Sequence, residues 1–123
     1  MRRFLLACAA VGLLATSGVA ADVVSTGNIE KVEYVCMMQD MIMAKPGVKL
    51  ARDGKVYWGC CEMCKTKMEA EPERYTRATD PVSGKVVDKA EASIYALKGT
   101  AYYFQSAKTR KQFSANPTKY LKK

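Results

Sequence analysis

Two stretches of the chain alternate apolar and polar positions on either side of a glycine. Val48-Lys49-Leu50-Ala51 and Val56-Tyr57-Trp58 flank Asp53-Gly54. Ile94-Tyr95-Ala96-Leu97 and Ala101-Tyr102-Tyr103-Phe104 flank Lys98-Gly99 in the same way. A glycine-containing pair between two β-prone runs predicts a hairpin. A helix is expected after each hairpin. The first covers Cys61 to Ala70 and stops before Pro72; the second covers Ser106 to Ala115, with Ser106 as N-cap. Asn116-Pro117 reads as a fresh start for a terminal helical turn. Short strands and short helices in a small chain give an α+β fold class.

The two stretches are copies. At a shift of 45 residues Gly54 falls on Gly99, Tyr57 on Tyr102, Trp58 on Tyr103, Pro72 on Pro117, Tyr75 on Tyr120, and Met68 on Phe113. One glycine and one proline would coincide by chance; adding three aromatic matches at a single offset makes a repeat. The copies run over 32–77 and 78–123, and 22–31 reads as a loose leader. Their difference is chemical. Cys60 and Cys64 in the first stand opposite Gln105 and Thr109 in the second, and Cys61 stands opposite Ser106. Cys36 has Ser83 as its nearest counterpart, at an offset of 47.

The beginning of the chain changes how charge and sulfur are counted. Met1-Arg2-Arg3, an apolar run from Phe4 to Leu14, and the small residues before Asp22 have the layout of a secretory signal peptide over 1–21. Cleavage is expected after Ala21, with Ala20 as the neighbouring alternative, and the run is short for a membrane span. A lipoprotein anchored through Cys8 is disfavoured, because only a few apolar residues precede that cysteine. The expected location is periplasmic, with no membrane span in the mature chain. The whole chain carries +8. Losing Arg2 and Arg3 leaves 18 basic against 12 acidic residues, or +6. A basic chain suits nucleic acid or anionic lipid, but an exported one rarely meets nucleic acid, so no nucleic-acid partner is expected. With 49% apolar and 26% charged residues the composition is globular. There is no histidine, which removes His-dependent acid–base and triad catalysis and every imidazole metal site.

What remains for chemistry is sulfur. The mature chain holds four cysteines: Cys36, Cys60, Cys61 and Cys64. Three readings compete. An even cysteine count in a short exported chain fits structural disulfides. Cys61-Glu62-Met63-Cys64 at a helix start is the arrangement of thiol-disulfide oxidoreductases. Against that enzyme reading, a thioredoxin-like unit needs a parallel strand–helix–strand setting, and a dithiol leaves Cys36 and Cys60 unexplained. The third reading is a metal site. Cys60 and Cys64, four apart, share a helix face. Helix N-terminal amides favour thiolate at Cys60 and Cys61, and Cys36 would complete a three-sulfur set. Soft thiolates select Cu(I) or Zn(II) over hard ions. Met37, Met38, Met41 and Met43 follow Cys36, and Met63 and Met68 flank Cys64. Thioether suits Cu(I), so Met37 and Met38 are the better candidates for further ligands, with Cys61, while Met68 reads as core because its twin is Phe113. Tyr95, Tyr102, Tyr103 and Phe104 read as core before they read as a partner surface.

Asp80-Pro81-Val82-Ser83-Gly84-Lys85, Tyr102-Tyr103-Phe104-Gln105-Ser106, Phe113, Asn116-Pro117 and Tyr120-Leu121 together resemble a YHS domain. Family members carry Cys at the positions of Ser83, Gln105 and Thr109, so this copy resembles a degenerate one. The first copy, with Cys36, 23 intervening residues, then Cys60-x-x-x-Cys64, resembles the related TRASH domain, a treble-clef-like metal finger. The resemblance implies two packed hairpin-plus-helix units and heavy-metal binding. It names no metal. Taken with the signal-peptide layout and the sulfur chemistry above, it gives an expected exported, non-enzymatic carrier, scavenger or resistance factor. The expected metal ligands are Cys36, Cys60 and Cys64, the cargo a soft ion with Cu(I) favoured over Zn(II), and the partner a metal-transporting or metal-receiving protein.

Overall fold

The structure, a computed structural model, describes residues 25–121. The signal-peptide reading, Cys8 and the Ala21 cleavage point lie outside the described residues. The chain runs through β1 (Gly27–Ile29), a 3-10 turn (Val32–Tyr34), β2 (Val35–Cys36), β3 (Met41–Ile42), β4 (Val48–Arg52) and β5 (Lys55–Gly59). It continues with α1 (Glu62–Ala70), α2 (Pro72–Thr76), β6 (Arg77–Thr79) and β7 (Val86–Asp88). It ends in β8 (Ser93–Leu97), β9 (Thr100–Phe104), α3 (Ala107–Ala115) and α4 (Pro117–Leu121). Helices and strands share the chain in an α+β arrangement.

The boundaries of β4, β5, α1 and α2 recur 45 residues later in β8, β9, α3 and α4, residue for residue. Local chemistry explains why. Both hairpins close through two residues, with Arg52 opposite Lys55 and Leu97 opposite Thr100. Asp53 and Gly54 have φ of 50° and 73°, Lys98 and Gly99 of 50° and 81°. Two consecutive positive φ values make the mirror-image turn that matches strand twist, and the glycine supplies one of them without steric cost. Ser106 caps α3 by accepting from the Thr109 amide at 3.3 Å. Pro72 and Pro117 each open the short helix that follows, where a missing N–H costs nothing.

Every strand pair among the described residues is antiparallel. One five-stranded sheet has the order β1-β8-β9-β3-β2, and β4-β5 and β6-β7 form two-stranded sheets. The described part of the expected leader carries a strand: β1 pairs along β8, from Gly27 opposite Ala96 to Ile29 opposite Ile94. The sheet draws on both copies, since β3 joins β9 at Met41 and Thr100. The core is shared as well. Val35, Met37, Leu50, Tyr57 and Met68 from the first copy pack in one cluster with Ile94, Ala96, Ala101 and Tyr103 from the second.

Asp88 links the copies through charge. Its carboxylate receives Lys55 Nζ at 3.0 Å, Tyr57 Oη at 2.8 Å and an Arg77 guanidinium nitrogen at 3.3 Å. Burial works against the Asp88 anion, but the Ala90 amide, Lys55 and Tyr57 outweigh it and hold the carboxyl below its ordinary value. Burial and the bond to Asp88 push the Tyr57 phenol up to about 12, so it stays a donor. Among the described residues, no helix is long and apolar enough to cross a membrane.

Candidate metal centre

Three elements bring the thiols together. Cys36 closes β2 and is fully buried; Cys60 follows β5 and is exposed; Cys64 lies in the first turn of α1 and is buried. The Sγ atoms of Cys36, Cys60 and Cys64 all lie within 4.8 Å of one another. Cys60 and Cys64 are 3.1 Å apart, and no cysteine among the described residues is in a disulfide. Three thiolates bonded to one ion at roughly 2.3 Å sit about 4 Å apart in a trigonal plane. The observed separations bracket that spacing, from 3.1 Å between Cys60 and Cys64 up to at most 4.8 Å within the set, and three sulfur donors suit a soft ion. These side chains could hold a metal ion.

Cys61 stands beside the trio rather than in it. Its backbone is extended, with φ −159° and ψ 173°, in the N-cap position of α1, and its thiol is exposed. It is 3.8 Å from both Cys60 Sγ and Cys64 Sγ. The Cys64 amide, then the neighbouring thiols of Cys60 and Cys64, then the Met63 amide favour its thiolate and lower its pKa. Cys60 goes the other way. Its contact with the Cys64 thiol, then burial, then Cys61, push it up to about 12.

A glycine lets the hairpin approach the helix here. A Cβ added to Gly59 would lie 2.8 Å from Cys64 Cβ, closer than carbon atoms pack. The matched position in the second copy is Phe104, fully buried, its ring tilted against that of Phe113 with centroids 5.1 Å apart. Gly59 therefore leaves room at the thiols where the second copy fills space with an aromatic ring.

The methionines divide. Met37 and Met68 are buried in the common core, as the Phe113 match anticipates for Met68, and Met38 packs against the same cluster. Met41 and Met63 are exposed, Met63 strongly so.

The second copy corrects one sequence expectation. Ser83, matched to Cys36 at the offset of 47, lies on the exposed β6–β7 loop and accepts only the Lys85 amide, at 3.3 Å. The residue that reaches the hairpin–helix junction is Asp80, at an offset of 44 from Cys36. Its Oδ2 accepts from the Gln105 amide at 2.9 Å and from Thr109 Oγ1 at 2.7 Å. Its Oδ1 accepts from the Val82 amide at 2.7 Å and the Ser83 amide at 3.1 Å. Gln105 and Thr109 are the counterparts of Cys60 and Cys64. A buried carboxylate thus binds, in the second copy, the positions that the Cys36 thiol meets in the first. The sequence signal was available: an Asp followed by Pro-Val-Ser-Gly is a turn-former whose side chain bonds the amides two and three residues on. Burial alone would raise the Asp80 pKa, but four donors overcome it and hold the carboxyl below its ordinary value.

Compared with protein-family models, with characterised proteins and with solved structures, the chain matches none.

Proposed function

We propose that this chain is an exported protein that binds one soft metal ion through Cys36, Cys60 and Cys64, with Cu(I) favoured over Zn(II), and that it carries or scavenges that ion. The convergence of three thiols from three separate elements to within 4.8 Å carries the reading. Two of them are buried, so they hold position without needing solvent, while exposed Cys60 leaves a side open to an incoming ion. The tandem YHS/TRASH resemblance supports it, with the second copy as a ligand-free twin. The exported location rests on the signal-peptide layout of residues 1–21. Native mass spectrometry of the reduced chain, with Cu(I) and Zn(II) in competition, tests the reading. The expected result is a single bound ion displaced by Cu(I) in preference to Zn(II). No retained ion of either kind refutes it.

One observation favours a second reading. Cys61 is exposed with its thiolate favoured, and buried Cys64 lies 3.8 Å away, the layout of an attacking and a resolving thiol in disulfide exchange. Reduction of insulin disulfides by the metal-free protein in the presence of a dithiol tests it. Activity lost in Cys61→Ser and retained in Cys36→Ser would favour the enzyme.

A further inference from the structure

The turn after Cys36 is held by the other copy. Cys36 is the last residue of β2, and β3 begins only at Met41. Between them, Asp40 adopts φ 53°, a left-handed conformation that a non-glycine residue keeps only when its surroundings impose it. Within the first copy the β2–β3 ladder sets Cys36 opposite Met41 across the turn, and the Met37 amide donates to the Trp58 carbonyl at 2.8 Å. Further ties come from residues beyond 77. The Ala101 amide donates to the Asp40 carbonyl at 2.8 Å. Lys89 Nζ donates to the Met37 carbonyl and to Asp40 Oδ1, both at 2.6 Å. Lys89 is only 4% exposed, and its ammonium sits 4.9 Å from the Tyr103 ring centroid.

A lysine is almost never buried unless it is paired, because withdrawing an ammonium from water costs several kcal/mol. Here the pairing is spent on a single short turn. One partner is the carbonyl of the residue next to Cys36, and the other is the side chain that ends the turn. A lysine needed only to join the copies could stay half-buried, as Lys55 does beside Asp88.

We propose that Lys89 is a positioning residue for the metal centre: by gripping both ends of the Met37–Asp40 turn, it holds the Cys36 thiol over Cys60 and Cys64. The inference rests on the metal-site reading and deepens it. The copy without thiols then supplies the constraint that makes a three-thiol set out of the Cys60–Cys64 pair at the hairpin–helix junction. Outer partners that orient a ligand are worth about 10- to 100-fold in metal affinity, and Lys89 belongs with them although it touches no ligand atom.

The test is a Co(II) titration of the reduced chain, because the sulfur-to-cobalt charge-transfer band grows with the number of bound thiolates. Lys89→Met keeps the length and apolar bulk and removes the ammonium. It is expected to bind Co(II) about 10- to 100-fold more weakly and to saturate at a band intensity between those of wild type and Cys36→Ser. Adding Lys89→Met to Cys36→Ser should weaken binding no further. A purely structural lysine would lower the melting temperature but leave the saturated three-thiolate band intact, and that result overturns the proposal. Asp40→Asn tolerates the left-handed backbone and weakens only one of the two bonds. It is expected to fall between wild type and Lys89→Met, and it decides the matter should Lys89→Met fail to fold. Alkylation of metal-free protein gives a reading independent of the ion. Cys36 should label faster in Lys89→Met while Cys60 is unchanged, and equal Cys36 rates would overturn the proposal. Absence of any cobalt band in wild type, with Cys36 nonetheless deprotected in Lys89→Met, would refute the metal reading while leaving the grip of Lys89 on the turn in place.

Discussion

Asp80 Oδ2 accepts a hydrogen bond from Thr109 Oγ1 at 2.7 Å, both residues buried, at the point where the first copy sets the Cys36 thiol against that of Cys64. The same hairpin–helix junction is thus closed in two ways. In one copy a carboxylate is saturated by four protein donors. In the other, three sulfurs lie within 4.8 Å of one another. The first solution is complete as folded; the second is a set of donors suited to an added ion.

Asp80 should therefore be a stability residue. Asp80→Ala strands the Gln105 amide and the Thr109 hydroxyl and is expected to cost about 3 kcal/mol. Thr109→Val should cost about 1–2 kcal/mol. Ser83→Ala and Gln105→Ala should be near neutral, since Gln105 contributes only its main-chain amide. None of the four should change the number of metal ions bound. Urea unfolding of the four variants is the measurement.

Acid should loosen this copy in a definite window. The folded-state carboxyls of Asp80 and Asp88 lie below the ordinary 3.8. A depressed carboxyl stabilises the fold above its unfolded-state value, and that contribution is lost as pH falls through the folded-state value. Stability of the metal-free protein should drop below about pH 4. Asp80→Asn should start less stable and show a shallower acid limb in thermal melts between pH 6 and pH 2. An unchanged slope would assign the acid response to other groups.

The ligand assignment makes unequal demands on the four cysteines. Cys36→Ser, Cys60→Ser and Cys64→Ser should each weaken metal binding by more than the ~10- to 100-fold of an outer-shell change. Cys61→Ser should cost no more than about tenfold, because Cys61 contacts two members of the trio from outside it. Competition against a colorimetric chelator ranks them. A Cys61→Ser defect larger than that of Cys36→Ser would move the site to the Cys61–Cys64 pair.

Gly59→Ala probes the approach of hairpin to helix. The new methyl would meet Cys64 Cβ at 2.8 Å, so α1 must shift. Overpacking of this kind costs about 1–3 kcal/mol, and metal affinity should fall with it because Cys64 rides on the displaced turn. Thermal melts with and without Zn(II) would show the loss of stability and a smaller metal-induced gain.

Much of this fold was legible from local rules. The two Gly-centred turns, the Ser106 cap and the helix-opening prolines act within a few residues, so they can be read along the chain. The 45-residue repeat then carried each boundary from one copy to the other. The spacing of Cys60 and Cys64 pointed to their meeting, but not through a shared helix face: Cys60 stands one residue before the Cys61 N-cap, off α1, and reaches Cys64 from the end of the hairpin. Only tertiary structure could bring Cys36 to that pair, since 23 residues of hairpin separate it from Cys60 and no local rule fixes their meeting. The strand in the leader, β1, depends on β8 for every hydrogen bond of its ladder and has no pattern of its own. Lys89 was hidden for the same reason, and so was the far half of the Asp80 network, although its local turn to Val82 and Ser83 could be read along the chain. A charged residue reads as surface until the fold shows the partners that offset its desolvation, and the distant partners here lie 25 to 52 residues away.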